Sequence, residues 1–426
     1  MSDASATQPL PPLKAGVEAV QIEHEGKPMV MLRDQEGIAD QTVALSLPGF
    51  IVAMLLNGKN SLSDVQSQFS QSTGSLVTPE EIRGLIHELD RAQLLETEAL
   101  AKKRRDLLRA FIESPVRKAV HMGAGYPDNP LELAAYLGGF FRHPKGPGKE
   151  VPSHPTAETP QALFAPHIDF ERGGPAYAWA YQALGECAPP DLIVAIGVGH
   201  ASPPSPWTPT RKSYETPYGP MSVDAGLYND FQSVLWYDGL SEELVHRNEH
   251  SLEFQALWLR YLWRDKTPAW LPILCSSFET WAEDRSPSSV ATVDAALTKF
   301  GALLRARQAK GQKILILAGV DLAHVGPRFG DNIELTPAVE KQIEEEDRVS
   351  MDKALALDAD GFYLSVIKDD HWRKVCGLSA IYTALRLMKE MGTGPGRMLA
   401  YGQAPDPLGG IVSFTSAIYP RGLIRT

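Results

Sequence analysis

From Leu163 onward the chain repeats one pattern, a short run that is apolar at every position followed by a longer amphipathic stretch. The runs are "ALFAP", "DLIVAIGVG", "AWLPILC" and "KILILAGV", with "IVSFTSAIY" near the end. A half-solvated strand alternates apolar and polar residues, whereas one that is apolar throughout needs cover on both faces. Four intervening stretches read as the covering helices: "PAYAWAYQALGE", "NEHSLEFQALWLRYLW", "SSVATVDAALTKFGALLRAR" and "SAIYTALRLMKEM". The expectation is an α/β fold with a mainly parallel or mixed central sheet flanked by helices. At 426 residues the chain has room for two or three domains.

The first part of the chain reads differently. Residues 1–14 are polar and proline-bearing and lack the charged and apolar regions of a secretion signal, so a disordered lead-in is expected. Residues 15–98 form a small unit of their own. "MVMLRDQEG" and "TVALSL" read as short strands. "PGFIVAMLLNG", "SLSDVQSQFSQSTG" and "TPEEIRGLIHELDRAQLLET" read as helices, the last opening on Thr78, Pro79 and Glu81 as a capping box. Two strands and three helices suggest a winged-helix-like α+β module. Between Lys14 and Glu98 six Lys/Arg face thirteen Asp/Glu, which is the wrong charge for a DNA reader. The module resembles PqqD-like domains, through element order and the "LLNGKNSLSDV" and "ELDRAQLLE" patterns, which implies a peptide or protein partner. Residues 99–116, within "AKKRRDLLRAFIESPVRKAV", read as a helical connector. The later "GPGK" is not a phosphate-binding loop, because Glu150 follows the lysine and no strand precedes it.

The net charge of -11 argues against nucleic acid and anionic membrane surfaces as partners. Three cysteines without a CxxC make no disulfide framework. No window is apolar enough to span a bilayer. A soluble cytoplasmic protein is expected.

In an open α/β sheet the ligand crevice lies at the carboxyl ends of the strands. "LFAPHIDF" puts His167 just past one strand, "IVAIGVGH" puts His200 past a second, and "ILAGVDLAH" puts Asp321 and His324 past a third. Three such ends together point to a site. Cys376, before a glycine at the start of a helix, is placed for a lowered thiol pKa and for metal or redox chemistry. Cys187 and Cys275 fit small buried residues. In "HRNEHSLEFQ", His246 and His250 have metal-pair spacing, but Asn248 reads as an N-cap, so the helix starts between them. His250 and Glu253 are then candidates for a pocket wall.

"APHIDFERGG", "GVGHASP", "YETPYG", "NEHSLEFQ", "VDLAHVG" and "VCGLSAI" stand in the order found in the Memo family. The resemblance begins at "RKAVHMGAGYPDNPLELAAYL" and covers 117–426; the chain is similar to the bacterial "AmmeMemoRadiSam system protein B" type, with an added N-terminal module. It implies a fold similar to class III extradiol dioxygenases and a redox metal, iron or copper, held by His167, His200 and Cys376. It also implies Asp321 and His324 as a pocket pair, His250 as a further pocket histidine, and a radical-SAM protein and an Ammecr-type domain protein as partners. Three positions depart from the family pattern: Asp169 adds a carboxylate near the site, Ala201 replaces a histidine, and Val320 replaces a serine.

Two imidazoles and a thiolate leave coordination positions open and favour Cu(I), Zn or Fe(II) over Mg or Ca. Asp321 is expected to orient a ligating imidazole, and His324 to act as general acid or base. The expected function is a metal-dependent redox enzyme of dioxygenase-like architecture. The alternatives are a non-catalytic scaffold or metal chaperone of a radical-SAM system, and a zinc hydrolase.

Overall fold

Alternate residues of each central strand enter opposite cores, which is why the runs are apolar throughout. In the computed structural model of the chain, Val194 and Ile196 pack into one buried cluster, while Ile193 and Ala195 pack into the other. Ile314 and Ile316 divide in the same way from Leu315 and Leu317. The described residues are 8–422 without 15, 25, 35–36, 40, 153, 202 and 407–408. They fall into two units, Met1–Glu113 and Ser114–Thr426.

The first unit has three strands, β1 (Val17–His24), β2 (Lys27–Asp34) and β3 (Val43–Ser46), in one antiparallel sheet in that order. Four helices follow: α1 (Leu47–Leu55), α2 (Leu62–Thr73), α3 (Pro79–Arg91) and α4 (Glu98–Glu113). Thr78 and Glu81 form the expected capping box, and Ser61 with Asp64 forms a second. Strand β1 was not expected, since "VEAVQIEH" interleaves charges with its apolar residues and has no continuous run. The lead-in expectation is corrected in part. Residues 1–7 lie outside the described set, but Leu10, Leu13 and Lys14 donate backbone hydrogen bonds to Asn60, Leu56 and Leu94. Lys14 also forms a buried 2.5 Å ion pair with Asp34. The connector is an ordinary helix, α4, which belongs to this unit.

The second unit opens with β4 (Val116–Arg117) and α5 (Pro130–Arg142). It continues through β5 (Ala162–Ala165), α6 (Phe170–Gly185), β6 (Leu192–Val198), β7 (Trp207–Pro209) and β8 (Ser213–Tyr214). Next come α7 (Ala225–Gln232), α8 (Glu253–Trp263), β9 (Ala269–Cys275), α9 (Glu279–Ala282) and α10 (Ala291–Ala309). The chain then forms β10 (Ile314–Gly319), β11 (Asp321–Val325), α11 (Pro337–Leu355), α12 (Ala359–Ile367) and α13 (Leu378–Glu390). It closes with the hairpin β12 (Arg397–Asp406) and β13 (Gly410–Tyr419).

Eight strands make the main sheet, in the order β11-β13-β5-β10-β6-β9-β7 with β12 on the far side of β13. Strands β5, β10, β6 and β9 are parallel. Strands β13 and β7 flank them antiparallel. Residues of α10, α12 and α13 pack in the cluster on one face, and those of α5, α6 and α8 in the cluster on the other. The fold is therefore α/β with a large mixed sheet flanked by helices, as expected. Helix α8 starts at Glu253 and Asn248 ends a short 3-10 turn, Glu243–Arg247, so the expected N-cap is corrected; Leu252 takes that place without a side-chain bond. No helix among the described residues is long and apolar enough to cross a membrane.

Gly197, on β6, lets the segment before α8 lie directly on the sheet. A Cβ there would stand 2.6 Å from Ser251 Oγ and 2.7 Å from Leu252 Cγ, and one on Gly319 would stand 2.6 Å from the Ser251 carbonyl oxygen. Gly197→Ala is expected to destabilise the second unit by about 1–3 kcal/mol through overpacking, read as a lowered urea midpoint.

Candidate metal centre

Strands β5, β10 and β6 are neighbours and parallel, so their carboxyl ends lie side by side. His167 follows β5, His200 follows β6, and Asp321 and His324 follow β10 on β11. Residues three apart in a regular strand point to opposite faces. Here β11 pairs with β13 through a register shift between Asp321 and His324, so the alternation is broken and both side chains turn toward one pocket.

Two imidazoles are fixed by hydrogen bonds at Nδ1, and a third stands beside the same carboxylate as one of them. His167 Nδ1 lies 3.0 Å from the Gly319 carbonyl oxygen. His200 Nδ1 lies 3.0 and 3.1 Å from the two oxygens of Glu249, and His250 Nδ1 lies 3.2 Å from one of them. In His167 and His200 an oxygen acceptor at Nδ1 requires the proton there, which leaves Nε2 as the ligating nitrogen. Ligand atoms of His167, His200 and His250 all lie within 4.8 Å of one another. The rings of His200 and His250 stack 4.9 Å apart, and His167 meets both edge-on.

Glu249 is the residue that sequence reasoning missed. It is 5% exposed, and it also accepts the backbone N–H groups of His200 and Ser251. Burial would raise its carboxyl, but His200 and His250 hold it well below the usual carboxylate range. Its signal was present as the acid beside His250 in "NEHS". Burial pushes His250 down to about 3 despite Glu249, so that ring is neutral at ordinary pH.

Cys376 stands just before α13, and its Sγ lies 3.2 Å from His167 Nε2. Burial alone would raise its thiol; the charges of His167 and His324, and bonds from His167 and His200, hold it well below the ordinary value. His167 is correspondingly raised to about 9, burial being outweighed by Cys376 and Asp321. His324 is raised for a related reason, its burial opposed by Cys376. Cys187 and Cys275 are buried and pushed up to about 11 and about 12, as suits inert thiols. The sulfur thus stands beside His167 and His200, at the edge of the three-imidazole group.

Other expectations are corrected. Asp321 does not orient a ring through Nδ1, which the Gly319 carbonyl and Glu249 do. It accepts the His167 backbone N–H at 3.0 Å, and its other oxygen lies 3.5 Å from His167 Nε2, so it faces the site itself. Asp169 is not a pocket acid, because it caps α6 through the Arg172 N–H and pairs with the Arg172 side chain. Glu253 is fully buried in an ion pair with Arg117 and accepts bonds from Tyr126 Oη at 2.6 Å and the His121 N–H at 3.0 Å. His246 is sealed between Tyr214 Oη and the Thr208 carbonyl, away from any metal role.

The fold and the site define an α/β protein with a three-histidine group able to hold a metal ion. Residues 117–417 match the family model described as Memo-like protein, and the chain belongs to that family. A MEMO1 family protein from Aquifex aeolicus is 26% identical over 87% of this chain and 90% of its own. That share exceeds what Ser114–Thr426 makes up, so the match runs into the N-terminal unit. A MEMO1 family protein from Thermus thermophilus is 30% identical over 64% of this chain and 73% of its own. A crystal structure of an uncharacterized protein from Escherichia coli K12 matches 60% of this chain and 98% of its own at 15% identity, with a TM-score of 0.32.

Two outcomes follow from these contacts. Glu249→Gln leaves one acceptor for two rings and is expected to weaken divalent-metal affinity about 10- to 100-fold, read by isothermal titration with Co²⁺. His246, pushed down to about 3 by burial, adds a pH dependence. The unfolded chain takes up a proton below its ordinary value near ~6.5 and the folded chain does not, so stability is lost as pH falls. Between pH 7 and pH 5 the loss from this residue is about 2 kcal/mol; His246→Gln should remove that share from the difference between urea midpoints at the two pH values.

Proposed function

We propose that this chain is a metal-dependent redox protein that holds iron or copper on His167, His200, His250 and the thiolate of Cys376. The observation that carries the reading is the donor set. Three imidazoles have ligand atoms within 4.8 Å of one another, two of them with Nδ1 committed to oxygen acceptors, and a sulfur lies 3.2 Å from one Nε2. Imidazole with thiolate suits copper, zinc and iron and disfavours magnesium and calcium. A bound redox ion would supply one-electron exchange and Lewis acidity.

The remaining work falls to the chain's own groups. His200 is only partly buried, with 36% of its side chain exposed, so a small molecule can approach from its side. His324 donates from Nδ1 to the Leu322 carbonyl, leaving Nε2 to take up and return a proton beside Cys376. Asp321 holds the His167 backbone and contributes the negative charge that favours a cation. The likeness to class III extradiol dioxygenases, a radical-SAM protein and an Ammecr-type domain protein as partners, and a cytoplasmic location belong to the same proposal and rest on the family resemblance.

A second reading is a partner-binding scaffold or metal chaperone. It is favoured by the first unit, which has its own core while α1 leaves Leu47 43% and Met54 59% exposed. Metal analysis of untagged protein, purified with and without air, separates the two. Iron or copper near one per chain, lost in His167→Ala and His250→Ala and reduced in Cys376→Ser, is the expected result. Zinc retained in all three variants, with no O₂ consumed on any reductant or phenol, would leave the scaffold or hydrolytic readings.

A further inference from the structure

Cys376 ends a segment whose backbone is in an unusual state. Between α12 and α13, four non-glycine residues have positive φ: Asp369 at 54°, Asp370 at 56°, His371 at 50° and Lys374 at 45°. Side chains disfavour this left-handed region, and such a run persists only where its surroundings fix it.

His371 and Lys374 are tied to Glu279 and Asp331 at the surface, and a buried ion pair anchors the end nearest Cys376. Arg373, 1% exposed, meets Asp347 Oδ1 at 2.5 Å, Glu346 at 3.2 Å, Ser350 Oγ at 3.0 Å and the Ser365 carbonyl at 3.3 Å. The second oxygen of Asp347 accepts from Ser413 Oγ at 2.5 Å and Tyr401 Oη at 3.0 Å. Both members of the pair also reach β11. The Arg373 carbonyl accepts the His324 N–H at 2.7 Å, and Ser413 Oγ accepts the Ala323 N–H at 2.8 Å, inside the irregular stretch that turns Asp321 and His324 to the same side.

We propose that Arg373 and Asp347 are positioning residues: one buried ion pair sets the Cys376 sulfur against the imidazoles and holds β11 in its bulged register. The inference rests on the reading of Cys376 as a ligand for its consequence in metal binding, but not for its geometry. The pair touches neither ring nor sulfur. It acts through backbone, three residues before Cys376 and at His324 itself.

The test uses the full chain as Asp347→Asn, as Ser413→Ala and as the double variant Arg373→Met/Asp347→Leu, which removes both fully buried charges and leaves Glu346 bonded to Trp372 Nε1. Two readouts are taken on variants that unfold cooperatively. In the Co²⁺-loaded protein the thiolate-to-cobalt charge-transfer band, assigned by its loss in Cys376→Ser, should fall strongly while imidazole-dependent cobalt binding persists. In the metal-free protein, amide exchange by mass spectrometry should quicken in peptides covering 321–326 while those covering 314–319 stay protected. A merely structural pair would weaken both sets of peptides together. Folded variants with the band and the exchange pattern both unchanged overturn the proposal. A wild-type protein with no such band sinks the ligand reading of Cys376, and the exchange result alone then decides the positioning proposal.

Discussion

The site depends on one buried carboxylate. Glu249 has almost no contact with solvent, and a carboxylate in that position is costly unless every oxygen is satisfied. It is satisfied by the His200 imidazole and by the N–H groups of His200 and Ser251, with the His250 ring nitrogen 3.2 Å from one oxygen. These partners come from two places in the chain, the end of β6 and the segment before α8. Compensation of the charge therefore ties those places together and brings both rings to the same space. Arg117 secures the arrangement from behind, since its guanidinium takes the carbonyls of His246 and Glu249 and the carboxylate of Glu253. The segment carrying Glu249 and His250 is held at its start, middle and end by one fully buried cation.

Much of this was legible in the sequence. The apolar runs from Leu163 onward became strands of the main sheet, because alternate residues of each face opposite cores, and the carboxyl-end rule put His167, His200, Asp321 and His324 at the crevice. Elements lacking an apolar run were lost to view. Helix α11, "PAVEKQIEEEDRVSMDKAL", is largely charged, and β1 is interleaved with acids. Glu249 was missed because nothing local distinguishes an acid that backs two imidazoles from one on a solvated turn; the difference lies in burial, and burial is tertiary. Asp169 and Glu253 were misjudged for a different reason. Each has a nearer use, one as a helix cap and the other as the counter-ion of Arg117, that satisfies its oxygens before a pocket can claim them.

The short distance between Cys376 and His167 gives the pocket a balanced charge. A thiolate beside an imidazolium, with a second raised imidazole at His324, stabilises separated charges that neither burial nor water would favour alone. A chain with a net charge of -11 thus gathers several of its 11 histidines around one sulfur and one aspartate. Metal binding at such donors exchanges protons for the ion, so the proton shared by sulfur and imidazole marks the same place that the donors define for a cation.

The three imidazoles and the sulfur nevertheless reach the pocket in different ways. His167 and His200 are delivered by the ends of parallel strands, and His250 by a segment pressed onto Gly197 and Gly319, so sheet topology supplies three positions with little strain. Cys376 arrives on a loop with four side-chain-bearing residues in the left-handed region, each costing on the order of 1 kcal/mol. A strained backbone would relax if the interactions around it were merely permissive. Arg373 and Lys374, held by Asp347 and Asp331, keep it in place. The imidazoles are thus where the fold leaves them, whereas the sulfur is where the protein must hold it, and that enforced placement suits a group that acts on the pocket rather than a small residue filling a core.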